Sequence, residues 1–298
     1  MRRAIGVLAM EHIAVGLVES HRLVGPMHIY PPDGSASNPL QSMPADQIAE
    51  TICAQMNEVA HGQPVDAIGV GFPGIIRNGV VEESPNLPQT KGFNLASTLS
   101  ALLGKGASVR ALNDADAFAA GIAATRGHLH DLIRVWTLGS GVGLGRYPSA
   151  EGIWEGGHVV VSLDPKEKYC GCGGIGHLEG IVGRRGMRQR FLDLEPEEVF
   201  ANAQAGDRRC ADFVRTWHRA LAAATATSIH LEGPGRFFLS GPNAMFVDLH
   251  LLDRYLHEMV TMSPLQGSAL ELVEASDETA IIGAALSALQ VANGSVTS

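Results

Sequence analysis

The stretch GHVVVSLDPKEKYCGCGGIGHLEG, Gly157 to Gly180, brings His158, Cys170, Cys172 and His177 into one short segment. Two thiols and two imidazoles are enough to close a tetrahedral zinc shell. Four protein ligands leave no position for a water, so the pattern points to a structural rather than a catalytic metal. The glycines before His177 let the backbone fold tightly around an ion. A pair of core or redox cysteines in a glycine loop is the other reading of the same residues. Glu155 and Glu179 flank the four candidate ligands. A metal would hold both carboxylates at set positions. Carboxylates accept from hydroxyl groups, and a metal-bound imidazole has its second nitrogen committed to a partner. That combination suits a polyhydroxyl ligand.

Upstream, TLGSGVGLG (Thr137–Gly145) alternates glycines at the end of the apolar run RVWTL. Such a loop lets backbone N–H groups approach an anion without interference from Cβ atoms, although a plain glycine-rich β-turn has the same composition. In LNDADAF, Asp114 follows a predicted strand, SVRAL, and opens a predicted helix. Junctions of this kind present catalytic groups in α/β proteins. A carboxylate there can take a proton from a hydroxyl group. The alternative is an Asx helix cap, which is also the expectation for Asp116.

The remaining pattern is α/β throughout. Strands are expected at AIGVLA, IAVGLVE, HRLVGP, AIGVGFP, SVRAL, RVWTL, GRFFLSG and ALELVEA. Helices are expected at ADQIAETICAQMNEVA, PEEVFANAQAG, RCADFVRTWHRALAAATATSIHL, MFVDLHLLDRYLHEMV and ETAIIGAALSAL, where apolar residues recur at three- and four-residue steps. Pro31–Pro44 reads as a loop and NGSVTS as a frayed tail. At 298 residues the chain is comfortable for two domains. A net charge of −9 argues against nucleic acid or an acidic membrane as partner. No run reaches transmembrane length, and a cytoplasmic protein is expected. Cys53 and Cys210 fall in helical patterns and are expected in the core. His128 and His130 are read as solvated, as is the basic run RRGMRQR.

WEGGH … CGCGGIGHLE resembles GExGH … CxCGxxGCxE, the signature of the ROK family of repressors, open reading frames and sugar kinases. The resemblance continues in order through VDAIGVGFPGIIRNGVVEESPNLP, ALNDADAFAAG, TLGSGVGLG and ETAIIGAALSAL. It implies two ribonuclease-H-like α/β domains of the actin and hexokinase superfamily, with a sugar cleft between them. The domains would span 1–113 and 114–277, the C-terminal helix 278–292 packing back on the first. The resemblance implies Asp114 as the base that activates a sugar hydroxyl. Gly74, Asn86, Asn113, Asp114, Glu155, His158 and Glu179 would contact the sugar. Gly139, Ser140, Gly141 and Gly143 would form a phosphate loop if a nucleotide binds. His158, Cys170, Cys172 and His177 would hold structural zinc, His177 replacing the family's third cysteine. A homodimer or homotetramer is implied as well. Since the chain starts directly with the first strand, repressor activity is not expected.

The N-terminal motif departs from the family. Where its members carry D-x-G-G-T-K to wrap nucleotide phosphates, this chain has Leu8, Ala9, Met10, Glu11 and His12. A glutamate beside a polyphosphate is repulsive, and no tight anion nest forms without glycine or its equivalent. The adenosine-side G-G-G appears only as LSGPN (Leu239–Asn243), and the segment RYPSAEGIW before Glu155 is short. Three readings follow. One is a hexose or amino-sugar kinase, which alone requires Mg-ATP. Another is an enzyme on sugars or glycosides that needs no ATP, a glycoside hydrolase using Asp114, Glu155 and Glu179. The third is a non-catalytic sugar sensor.

Overall fold

The computed structural model describes residues 2–32, 38–104, 108–149 and 154–292. Residues 150–153 of the shortened segment, 33–37 of the Pro31–Pro44 loop and the NGSVTS tail lie outside the described residues. In chain order the strands and helices begin β1 (Arg3–Ala9), β2 (Ile13–Glu19), β3 (Arg22–Leu23), β4 (His28–Tyr30), α1 (Ala45–Ala60), β5 (Ala67–Phe72), β6 (Ile75–Arg77), β7 (Val80–Glu83), α2 (Leu95–Leu103), β8 (Ser108–Asn113) and α3 (Asp114–Thr125). They continue with β9 (Ile133–Leu138), β10 (Val142–Tyr147), α4 (Leu178–Val182), α5 (Arg184–Arg190), α6 (Pro196–Gln204), α7 (Arg208–Glu232), β11 (Arg236–Ser240), α8 (Leu249–Met259), β12 (Ala269–Leu272) and α9 (Asp277–Ala292). Two compact units result. The first comprises Met1–Ile133, Gly145–Ile153 and Ala275–Ser298, and the second Arg134–Leu144 and Trp154–Glu274.

The first unit is built on a sheet of order β3-β2-β1-β5-β8, with β4 also paired to β2. β1 pairs antiparallel with β2 and parallel with β5, and β5 pairs parallel with β8. β1, β2 and β5 are buried almost end to end because helices cover both faces, which is why they read as continuous apolar runs rather than alternating ones. On one face, Ile48, Ile52 and Met56 of α1 join Ile5, Val15 and Val70 in the core. On the other, α9 lies against β1, β5 and α3. This helix pair needs glycine. A Cβ on Gly121 would meet the Thr279 carbonyl, and one on Gly283 the Ala117 carbonyl. The division expected after Asn113 falls between β8 and α3, whereas both elements belong to the first unit, where α3 is held by α9.

The second unit has the sheet order β10-β9-β11-β12, repeating the β2-β1-β5-β8 path of the first. Its core gathers Trp136, Trp217, Phe200, Phe237 and Leu252 around α7. Two local expectations are corrected. HRLVGP forms only the two-residue β3, because Gly25 at φ +82° turns the chain away. The helix expected from Met245 starts at Leu249, where the Asp248 side chain accepts the Leu251 N–H and fixes its N-terminus. The hairpin β6–β7 and helix α2 have no counterpart among the elements expected from the sequence. Cys53 and Cys210 are buried as expected.

Candidate functional site

Two strands of chain build the Cys/His cluster in the second unit. Val161 N–H donates to Gly176 O at 2.8 Å and Leu178 N–H to Val159 O at 3.0 Å, bringing His158 beside His177. Gly176 sits at φ +73°, where a Cβ would also strike the Ser162 carbonyl, so this crossing requires glycine. Arg190 of α5 pins the intervening loop by pairing with Glu167 and stacking 4.3 Å over the Tyr169 ring. The candidate ligand atoms of His158, Cys170, Cys172 and His177 all lie within 4.8 Å of one another. Cys170 Sγ is 3.3 Å from Cys172 Sγ, which is 3.2 Å from His177 Nδ1. Zinc bond lengths of about 2.3 Å to sulfur and about 2.0 Å to nitrogen give tetrahedral edges of roughly 3.3–3.8 Å. The donor set therefore fits such an ion once its longest edge contracts. Burial, above all, pushes the Cys170 thiol up to about 12. A metal has to displace that proton, which makes its uptake pH-dependent.

Around the cluster stand the two carboxylates. Glu155 precedes the short turn Gly156–His158 and keeps solvent contact. Its carboxyl is nevertheless pushed above the ordinary range, first by surrounding protein that displaces water; His158 opposes the shift and Glu179 adds to it. Glu179, on α4, is engaged at both oxygens. Oε1 accepts the Gly171 N–H at 3.3 Å, and Oε2 accepts the Val142 N–H at 3.2 Å.

The glycine-rich turn Gly139–Gly141 joins β9 to β10, and Gly143 follows within β10. Gly139 N–H donates across the turn to Gly141 O at 3.0 Å. The carbonyls are tied back into the second unit. Gly139 O accepts from Asn243 Nδ2 at 3.0 Å and from Arg184 N–H at 2.9 Å, and Ser140 O accepts from Arg185 N–H at 3.2 Å. With its carbonyls held, the turn leaves the N–H groups of Ser140 and Gly141 without a partner among the described residues. Such a pair of amides is suited to an anion. Asn243 is fully buried and also donates to Val182 O at 3.1 Å. It is the residue in LSGPN that sequence reading passed over. The only available signal was an Asn following a Gly-Pro after a strand, which has many other meanings.

Asp114 stands in the first unit as the first residue of α3. Asn113 caps that helix, its Oδ1 accepting the Ala115 N–H at 2.9 Å, while its Nδ2 donates to Gly74 O at 2.9 Å and to Asp114 Oδ1 at 3.1 Å. Asn113 thus combines the capping role with orienting the neighbouring carboxylate. Asp116 is not the cap; its Oδ1 accepts the Arg146 N–H at 2.9 Å. Gly74, at φ +106°, packs its Cα against Glu83 and Ser84, and Asn86 is exposed in the loop after β7. In the turn between β1 and β2, Met10 N–H donates to His12 O at 3.0 Å, and His12 Nε2 lies 2.7 Å from Asp277 Oδ2 at the start of α9. Glu11 is exposed there. The basic run is not simply solvated. Arg184 pairs with Glu197, Arg188 with Glu195 and Arg190 with Glu167. His128 is paired too, 2.9 Å from Asp131, whereas His130 is exposed.

The sequence model of the ROK family matches residues 35–291. The chain belongs to the ROK family. This ROK chain is 30% identical over 248 residues to the glucokinase of Pyrobaculum calidifontis, covering 78% of this chain and 81% of that one. It is 34% identical over 226 residues to the glucokinase of Thermotoga maritima, covering 65% and 68%. The fold matches that of the ROK hexokinase from Thermus thermophilus at a TM-score of 0.80 and 22% identity, over 98% of this chain and 99% of that one. The expected actin- and hexokinase-like α/β architecture is therefore met. The matched span opens at residue 35, beyond the Met10–His12 turn. Among the described residues no helix is long and apolar enough to cross a membrane.

Proposed function

We propose that this chain phosphorylates a hexose, with Asp114 as the base that takes the proton of the attacking hydroxyl. The observation that carries this reading is the seating of Asp114 at the start of α3, oriented by Asn113, which is itself anchored to Gly74 O. A base held on a helix by a second residue needs no reorganisation to meet its substrate. On this reading Gly74, Asn86, Asn113, Glu155, His158 and Glu179 hold the sugar hydroxyls. Ser140 and Gly141 offer their N–H groups to the phosphates of Mg-ATP. His158, Cys170, Cys172 and His177 hold a structural zinc ion, which supplies rigidity and no reacting group. The glucokinase relatives point to a neutral hexose as acceptor.

One observation favours sugar binding without transfer. The β1–β2 turn carries Glu11 and is occupied by the His12–Asp277 pair, so it offers little to a polyphosphate. The test is to incubate the protein with glucose, mannose and N-acetylglucosamine, with and without Mg-ATP, and read products by mass spectrometry. A phosphorylated hexose that needs Mg-ATP and disappears in Asp114→Asn is expected. Sugar binding by calorimetry with no product would leave the sensor reading in its place.

A further inference from the structure

Glu179 joins two segments that the sequence gives no reason to connect. Its Oε1 accepts the N–H of Gly171, the residue between the two cluster cysteines, and lies 3.4 Å from Cys170 Sγ. Its Oε2 accepts the N–H of Val142, which ends the glycine-rich turn. A Cβ on Gly141 would run into that same oxygen, so the carboxylate is fitted against the turn itself.

We infer that Glu179 is a positioning residue that couples metal occupancy of the Cys/His cluster to the conformation of the Gly139–Gly141 turn. The reasoning starts at Gly171. It is exposed, and its neighbours on either side are the two thiols, so an ion bound by Cys170 and Cys172 fixes the direction of the Gly171 N–H from both sides. Within the C-x-C turn itself one backbone bond, from Gly173 N–H to Cys170 O at 3.0 Å, restrains the peptide that carries the Gly171 N–H, so with the ion gone the direction of that N–H rests on this single bond in an exposed turn. Oε1 then has a less firmly held donor and the carboxylate a less firmly held orientation. Val142 follows, because its N–H bonds to Oε2. The carbonyl side of the turn does not depend on this link: Asn243, Arg184 and Arg185 hold it in either state. Metal loss therefore loosens the N–H side of the turn while leaving its carbonyl side anchored. The sugar contact proposed for Glu179 uses lone pairs left over from these bonds and does not compete with the coupling.

The functional weight of this coupling rests on the reading that the turn takes a donor's phosphates, but its test does not. Hydrogen exchange of the 137–145 segment is measured by mass spectrometry on zinc-loaded and chelator-stripped protein, with metal content followed by atomic emission. Stripping should speed exchange of that segment severalfold while β11 keeps its protection. In Glu179→Gln, which retains the cluster ligands, the segment should already exchange fast with zinc bound and change little on stripping. An unchanged segment in the stripped wild-type protein overturns the coupling without recourse to any variant. So does an equal response in Glu179→Gln, or a loss of protection that extends through β11. A protein that takes up no zinc removes the metal reading and the coupling with it. If the coupling holds but Mg-ATP does not bind, only the donor assignment falls.

Discussion

Two turns, Met10–His12 and Gly139–Gly141, each join the first two strands of their own sheet, and each is closed by one backbone N–H to carbonyl bond of 3.0 Å. They are of equal length and occupy corresponding places in the repeated strand order. Their side chains differ completely. The second turn has glycines on either side of Ser140 and leaves two amides without a partner among the described residues. The first carries a thioether, a carboxylate and an imidazole, the last bound to Asp277 at 2.7 Å. The backbone bond that closes the turn can thus be kept while the chemistry is lost. An anion site needs the closed turn and also needs nothing standing in front of its N–H groups.

The largest expected effect decides whether the contrast between the turns concerns catalysis at all. Asp114→Asn should lower phosphoryl transfer by about 10²- to 10⁴-fold, the usual contribution of a general base, with hexose affinity little changed. Steady-state kinetics beside calorimetry will separate the two, and retained turnover would remove Asp114 as the base. Next, Gly141→Ala gives the open turn the side-chain bulk that the first turn carries, and its Cβ would run into Glu179. Mg-ATP affinity should fall about tenfold, a cost of about 1.4 kcal/mol. Equal affinity would mean that the amides of this turn do not meet the donor. The reverse experiment is Met10→Gly with Glu11→Gly, which strips the first turn. Removing one carboxylate from the path of a polyphosphate should improve the KM for Mg-ATP a few-fold, most visibly at low salt. No change at any salt concentration would break the parallel between the turns.

The smallest effect separates the units by stability. His218 is buried in the second unit, its Nδ1 2.8 Å from Val214 O and its Nε2 accepting the Asp248 N–H at 2.9 Å. Burial is the main cause that lowers its pKa below the ordinary value. The neutral ring is therefore favoured in the folded state. The unfolded chain binds the proton more readily below about pH 6.5. Stability from this residue is complete above that pH and is lost as the pH falls toward the depressed native value. Melting curves from pH 7.5 to 5 should show this slope, and His218→Gln should flatten it. Hydrogen exchange at pH 5.5 should weaken α7 and α8 before β1 and β5; simultaneous loss would mean that the units do not open separately.

Much of the fold was legible because long apolar runs in β1, β2 and β5 and the three- to four-residue periodicity of α1 and α7 have few other readings. The short elements were not. β3, β4 and the β6–β7 hairpin span only two to four residues each, too few for a period to register. The clustering of His158, Cys170, Cys172 and His177 was visible because cysteine and histidine spacing is itself the signal. The double engagement of Glu179 was not visible, since its partners are the backbone amides of a valine and a glycine, which any residue type supplies. Asn243 escaped for a similar reason: its acceptors are carbonyls of Gly139 and Val182, far away in sequence.

The placement of α9 also bears on the order in which the chain leaves the ribosome. Every element of the second unit is synthesised before the helix that covers β1 and β5. The sheet of the first unit therefore waits, with one apolar face uncovered, until α9 has emerged. A premature stop after Glu274 would leave the second unit with all its residues and the first without the helix that packs on Gly6 and Gly69. Damage from a lesion in the stretch that encodes α9 would then appear in a sheet made far earlier in the chain.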